Sequence, residues 1–282
     1  MAIALQMVDV FGSGPLAGNP LAVVICEEEL ATEEMQRLTR WFNLSETTFV
    51  LPPTTAEADY RLRIFTLERE MPFAGHPTLG SCHAWLQAGN QPKHPGQVVQ
   101  ECGAGLVPIR QEHGRLAFAA PPLLRFAAPS LTELNDALQM LRLQLSDVVE
   151  ASWIDNGPGW LGIRLASAEQ VLALQPARSW SGQMDVGVVG PYPAGGEAAF
   201  EVRAFFSDHL GCIVEDPVTG SLNASIAQWL YSTGEVEGDY IAAQGRCLGR
   251  DGRVYVSRDE QGQVWIGGAT RSQVVGQLVG LE

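Results

Sequence analysis

The chain has 282 residues, 46% apolar and 18% charged, and its 18 Lys and Arg against 32 Asp and Glu leave a net charge of −14. That balance belongs to a globular chain long enough for one large domain or two ordinary ones. It excludes a nucleic-acid or anionic-membrane surface, which needs clustered cations, so any anion site must rest on backbone dipoles and a few side chains.

The opening stretch MAIALQMVDVFG has no basic segment, which argues against a signal peptide. No apolar run approaches the ~20 residues that span a bilayer. Five scattered cysteines (26, 82, 102, 212 and 247) contain no CxxC pair. That pattern fits a reducing, cytoplasmic setting better than a disulfide framework.

Taken in chain order, FGSGPLAG (11–18) lacks the Gly-Lys-Ser/Thr ending of a P-loop and reads as a plain loop before a strand at 21–26. A helix is expected at 31–42 and a strand at 47–51. YRLRIFT (60–66) alternates with period two, as a strand does. GHPTLGSCHAWLQAG (75–89) has Leu79, Cys82 and Leu86 at helical spacing and no charged residue. Short strands follow at 98–100 and 107–111. The run from Ala119 through Pro121, Pro122 and Pro129 reads as a connection. Next come a helix at 131–142, opened by a Ser130–Glu133 capping box, a strand at 160–165, a short helix after Ser167 and a strand at 186–189.

The pattern then repeats. FEVRAFF (200–206) aligns with 60–66, with Arg203 and Phe205 standing where Arg63 and Phe65 stand. GSLNASIAQWLYSTG (220–234) aligns with 75–89 and also lacks Lys, Arg, Asp and Glu. Strands at 253–257 and 264–266 complete the pattern. A helix with no charged face is normally buried on all sides. The expected fold is therefore α+β: two pseudo-symmetric halves, 1–122 and 123–282, each a curled β-sheet or barrel around one central α-helix (75–89 and 220–234). The last residues are expected to pack back on the first half. Two small-residue helix starts of this kind would face one cleft and act together on an anion.

Three clusters interrupt the apolar pattern, each with a bland alternative. Glu46, in NLSETTF (43–49), is either a functional carboxylate or an exposed strand start. His76, at the first helix start, is either a ligand-facing donor or a structural histidine. Asp216, before the second helix, is either part of a site or a helix cap. Metal binding is poorly supported: His76 and His83 lie seven residues apart, with no HExxH and no paired cysteines. Ser221 in TGSLN is not the GxSxG elbow of a serine hydrolase. A two-base racemase would suit paired thiols, but Ala74 and Thr219 precede the two helix-start glycines.

Together, GNPLAVV (18–24), NLSETTF (43–49), Glu70 followed by GHPT (75–78), EDPVTGS (215–221) and GRDGRVYV (249–256) resemble the PhzF-like isomerase family of phenazine biosynthesis. The resemblance implies the diaminopimelate-epimerase-like fold, cofactor-independent proton transfer on a small carboxylate, and a homodimer. It implies Glu46 as the general acid/base, with His76, Asp216 and Ser221 as further catalytic positions. Gly75 and Gly220 are implied as backbone anion binders, with Ser45 and Asn156 as substrate-side positions. It implies no cofactor and no metal. The competing expectations are a non-catalytic small-carboxylate binder and a two-base epimerase or racemase.

Overall fold

The computed structural model describes residues 3–112 and 114–280. The chain divides into two compact units, Met1–Ala119 with Gly267–Glu282, and Ala120–Ile266. The boundary thus lies between Ala119 and Ala120, not at 122, and Gly267–Glu282 belongs with the first unit.

The first unit contains β1 (Ile3–Val10), β2 (Asn19–Ile25), α1 (Thr32–Phe42), β3 (Glu46–Leu51), β4 (Tyr60–Thr66), the short β5 (Glu70–Met71), α2 (Gly75–Gln87), β6 (Gln97–Cys102), β7 (Gly105–Glu112) and β8 (Arg115–Ala119). β1 pairs antiparallel with β2 and with the strand Thr270–Leu278. β2 and β3 are parallel, joined through α1. β3 and β4 are antiparallel, and β4 and β6 are parallel, joined through α2. β6, β7 and β8 continue as an antiparallel meander.

α2 packs against β1, β2, β3, β4, β6 and β8 as well as Thr270–Leu278, so this sheet curls around it. Burial on every side explains why the helix carries no charge. Strand and helix approach closely at Gly80, where an added Cβ would lie 2.6 Å from Leu21 Cδ2. The opposite sheet face is covered by α1, through a core of Met35, Leu38, Val24, Phe49 and Phe65.

The second unit contains β9 (Arg125–Ala127), α3 (Leu131–Leu141), β10 (Val148–Asp155), β11 (Trp160–Leu165), α4 (Ala168–Ala173), β12 (Asp185–Pro191), β13 (Phe200–Ser207), β14 (Ile213–Asp216), α5 (Gly220–Thr233), β15 (Tyr240–Gln244) and β16 (Gly252–Arg258). β17 (Val264–Gly268) leads back to the first unit, where Thr270–Leu278 is β18. The ladder repeats the first one. β11 and β12 are parallel around α4, β12 and β13 are antiparallel, β13 and β15 are parallel around α5, and β15 and β16 are antiparallel.

α5 packs on β10, β11 and β16. Gly187 of β12 leaves room for Leu222, whose Cδ1 would lie 2.1 Å from an added Cβ. α3 and α4 cover the outer face through Leu138, Leu141, Val171, Ile163, Val188 and Phe205. The Ser130–Glu133 capping box forms, with the Glu133 amide donating to Ser130 Oγ and the Ser130 amide to Glu133 Oε2. Among the described residues, no helix is long and apolar enough to cross a membrane.

Candidate active site

In the first unit, three residues from three element starts meet. Glu46 is the first residue of β3, His76 the second of α2, and Asn19 the first of β2. His76 Nε2 lies 3.4 Å from Glu46 Oε2, and His76 Nδ1 lies 3.4 Å from Asn19 Nδ2. With the Asn19 amide donating, Nδ1 accepts and the ring proton sits on Nε2, toward the carboxylate. Burial is the cause that pushes the His76 pKa down to about 3. The ring is therefore uncharged at neutral pH and not a cation.

Ser45 is half-buried in the bend that delivers Glu46 to its strand. Ala74 is the extended N-cap of α2 and supplies no side-chain cap. The first-turn N–H groups at Gly75 and His76 are thus not engaged by a capping side chain, which suits an incoming anion.

The second unit builds its counterpart on the start of α5. Thr219 is the N-cap, but its hydroxyl does not cap the helix; Oγ1 donates to Asp216 Oδ2 at 2.5 Å. Asp216, at the end of β14, thus accepts from the N-cap residue. Gln244, at the end of β15, locks this turn. Its Oε1 accepts from the Thr219 amide at 3.0 Å and from Asn223 Nδ2 at 2.9 Å. Its Nε2 donates to Thr219 Oγ1 at 3.0 Å and to the Asp216 carbonyl at 3.2 Å. Ser221 Oγ accepts from Trp160 Nε1 at 3.1 Å, and the Ser221 carbonyl accepts from Asn156 Nδ2 at 2.9 Å. Asn156 therefore orders the first turn of α5. Gly220 again opens its helix without a side-chain cap.

The two starts are prepared alike. Arg63 makes a bidentate pair with Glu70, Nε to Oε1 at 2.7 Å and Nη2 to Oε2 at 2.5 Å. Arg203 makes the same pair with Glu215, at 2.9 and 2.7 Å. Each ties the strand before the central helix to the short strand that leads into that helix.

Each unit thus gathers the site residues expected on its own stretch of sequence: Glu46 and His76 beside Gly75 in one, Asp216, Ser221 and Asn156 beside Gly220 in the other. Sequence reasoning missed Asn19, Gln244, Thr219 and Trp160 as the groups that hold them. Asn19 stood inside the quoted GNPLAVV stretch, and a buried Gln ending the apolar strand YIAAQ was a signal for the other. Among the described residues, no three His, Cys, Asp or Glu side chains converge as a metal site would require.

Comparison with known proteins accords with this geometry. The family model for "Phenazine biosynthesis-like protein", PhzC-PhzF, matches residues 8–277. The chain is 34% identical to antisense-enhancing sequence 1 of Schizosaccharomyces pombe, over 97% of this chain and 98% of that one. It is 33% identical to the trans-2,3-dihydro-3-hydroxyanthranilate isomerase of Pseudomonas chlororaphis, over 82% and 81% of the two chains. A crystal structure of a phenazine biosynthesis PhzF family protein from Enterococcus faecalis superposes with a TM-score of 0.79 at 25% identity, covering 99% of both. The repeated strand–helix–strand ladder is the diaminopimelate-epimerase-like fold of those neighbours. On these grounds the chain belongs to the phenazine biosynthesis-like PhzC-PhzF family and is an isomerase of that type.

Proposed function

We propose that this isomerase moves a proton between carbons of a small carboxylate substrate, with Glu46 as the general acid/base. The observation that carries the reading is the Glu46–His76 contact at 3.4 Å, made at the uncapped start of a buried helix. A neutral His76, with Nε2 facing Glu46 Oε2 at 3.4 Å, stands beside the carboxylate without protonating it. Glu46 removes an activated proton and returns it at another carbon on the same face of the substrate. The N–H groups at Gly75 and Gly220 bind the substrate carboxylate and stabilise the charge that develops during transfer. Ser221 and Asp216 hold or relay a proton from the second half, and Ser45 lines the substrate beside Glu46. Asn156 acts through Ser221 and is a positioning residue.

The name of the Pseudomonas chlororaphis relative points to a cyclic, amino-bearing carboxylate as the substrate class. On the family resemblance, the same reading takes the enzyme as a cofactor-independent homodimer.

The test uses trans-2,3-dihydro-3-hydroxyanthranilate and related cyclic carboxylates in deuterated water, with label at carbon followed by NMR. Glu46→Gln should slow exchange by roughly 10²–10⁴, the range for loss of a general acid/base. Wild-type exchange persisting unchanged in that variant would sink the assignment. Asp216→Asn should also slow exchange, and the double variant should lose less than the product of the two single effects. Independent, multiplicative losses would show that the two half-sites do not act on one molecule.

A further inference from the structure

The second unit carries another polar constellation, on the sheet face away from α5. Gly190, Glu201, Ala243 and Arg253 lie side by side across β12, β13, β15 and β16. A Cβ on Gly190 would meet Ser167 O at 2.4 Å and Val171 Cγ2 at 2.8 Å, so this row faces α4. Gly187 and Gly252, in the alternate rows, face Leu222 and Val218 at α5. Glu201 and Arg253 therefore project from the opposite face to the one that holds Gly220 and Ser221.

Over this row, the 193–198 loop (PAGGEA) joins β12 to β13. With Tyr192, Arg246 and Arg253 it lines an open cleft of about 450 Å³. That exceeds the need of an inorganic ion and falls within the range of small-ligand sites. The Tyr192 hydroxyl donates to Glu201 Oε2 at 2.6 Å. Glu201 is fully buried, and its Oε1 has no hydrogen-bond partner. Arg253 has 9% of its side chain exposed, and its Nε is buried and also without a partner. The unpaired Arg253 donor, which lines the cleft, is the group an anion could satisfy, because a buried unpaired polar atom costs free energy.

The charges set the sign of the ligand. Arg246 lies over the Tyr192 ring, 5.7 Å from its centroid, and with Arg253 it interacts electrostatically with the buried Glu201. Arg253 Nη1 is bound firmly to Asp251, at 2.6 Å. Its Nη2 pairs with Glu197 at 3.4 Å, and that side chain is 66% exposed. Glu197 follows Gly195 and Gly196, so its backbone is free to swing, and an exposed pair of this length is weak.

We propose that this cleft binds a small organic anion, bearing a carboxylate or a phosphate, whose charged group bridges Arg246 and Arg253 and displaces the Glu197 carboxylate. Glu197 then acts as a built-in competitor that occupies the place of the anion when no ligand is bound. The proposal is independent of the isomerase reading, since it uses the other face of the sheet and none of the residues assigned to proton transfer.

The experiment titrates the full chain with inorganic phosphate, glycerol 2-phosphate and malonate. Binding is read by calorimetry and by the ¹⁵N NMR shifts of the Gly195, Gly196 and Glu197 amides. At least one organic anion should give saturable shifts at these amides, and bind more tightly than inorganic phosphate. Saturation by the phosphate ester alone assigns a phosphate ligand, and saturation by malonate alone a carboxylate. Arg246→Ala, at an exposed position that leaves the fold intact, should weaken binding about tenfold or more, as for a lost charged hydrogen bond. Glu197→Gln should strengthen it. No saturable shift with any probe, equal affinity in wild type and Arg246→Ala, or weaker binding in Glu197→Gln would each overturn the proposal.

Discussion

His76 shows how burial holds a titratable group in its neutral form. Its ring is 3% exposed and its pKa is held at about 3, against an ordinary value of 6.5. Because the folded-state value is depressed, the unfolded chain binds a proton there that the folded chain does not. This contribution to stability is complete above about pH 6.5 and is lost as pH falls toward 3. Stability should therefore fall by up to about 1.4 kcal/mol per pH unit through that window from this group alone. Urea unfolding at several pH values should show a shallower slope in His76→Gln. Identical slopes in the two proteins would mean that His76 is charged in the folded state.

At this scale the sequence was informative about identity and silent about support. A Glu before a β-branched strand, and a His after a glycine, marked the place where chemistry could occur. Neither could reveal that Asn19 sits on the other ring nitrogen, because the two residues are 57 positions apart. Asp216 read locally as either a cap or a site residue. In the structure Thr219 takes the N-cap position and its hydroxyl donates to Asp216.

Among the elements, the paired arginines do the most to set the helix starts. Arg203 is nearly buried, with 5% of its side chain exposed, and Glu215 has 11%. Besides Glu215, Arg203 Nη1 donates to the Val171 and Leu174 carbonyls at the end of α4, at 3.1 and 2.9 Å. One side chain thus joins β13, β14 and an outer helix. Arg203→Met would strand a carboxylate and two carbonyls, at a cost of about 3–5 kcal/mol by analogy with broken buried pairs. Arg63→Met should cost less, because Glu70 is 40% exposed and water can replace its partner. Urea denaturation of the two variants checks the order; an equal or larger loss in Arg63→Met would contradict it.

The tight contact of Gly187 with Leu222 gives a second check at this scale. Gly187→Ala places a methyl group where Leu222 already packs, and overpacking of that kind costs about 1–3 kcal/mol. A thermal midpoint unchanged from wild type would mean that α5 can shift to make room.

In the whole molecule, the first unit is discontinuous in sequence. β18 pairs along nearly the full length of β1, from Ile3↔Leu278 to Val10↔Thr270. Removing residues 269–282 would leave β1 without one of its two ladders and uncover part of α2, which β18 also touches. The truncated chain should unfold at lower urea than the full chain, with proteolysis beginning in the first unit. Equal midpoints would show that β18 adds no stability.

Much of the architecture was legible because it depends on local periodicity. The two uncharged helices, the matched strands 60–66 and 200–206 and the capping box each carry their signal within about fifteen residues. A duplicated pattern makes such a signal readable twice. β1, β5, β8, β9, β10, β14, β15 and β18 were not foreseen. β18 is mostly exposed and polar, so it lacks the alternation that marks a half-buried strand, and its place is set by pairing with β1 across more than 250 residues. β15 is a short run whose identity as a strand depends on lying parallel to β13.

The chain alone therefore singled out candidate residues for chemistry and showed that they come in two related sets, because residue type and repeat are properties of sequence. The folded structure decided which partners hold them, which atom of His76 faces Glu46, and where Arg246 and Arg253 stand relative to α5. Those depend on strand register and burial, which arise only when distant segments pack.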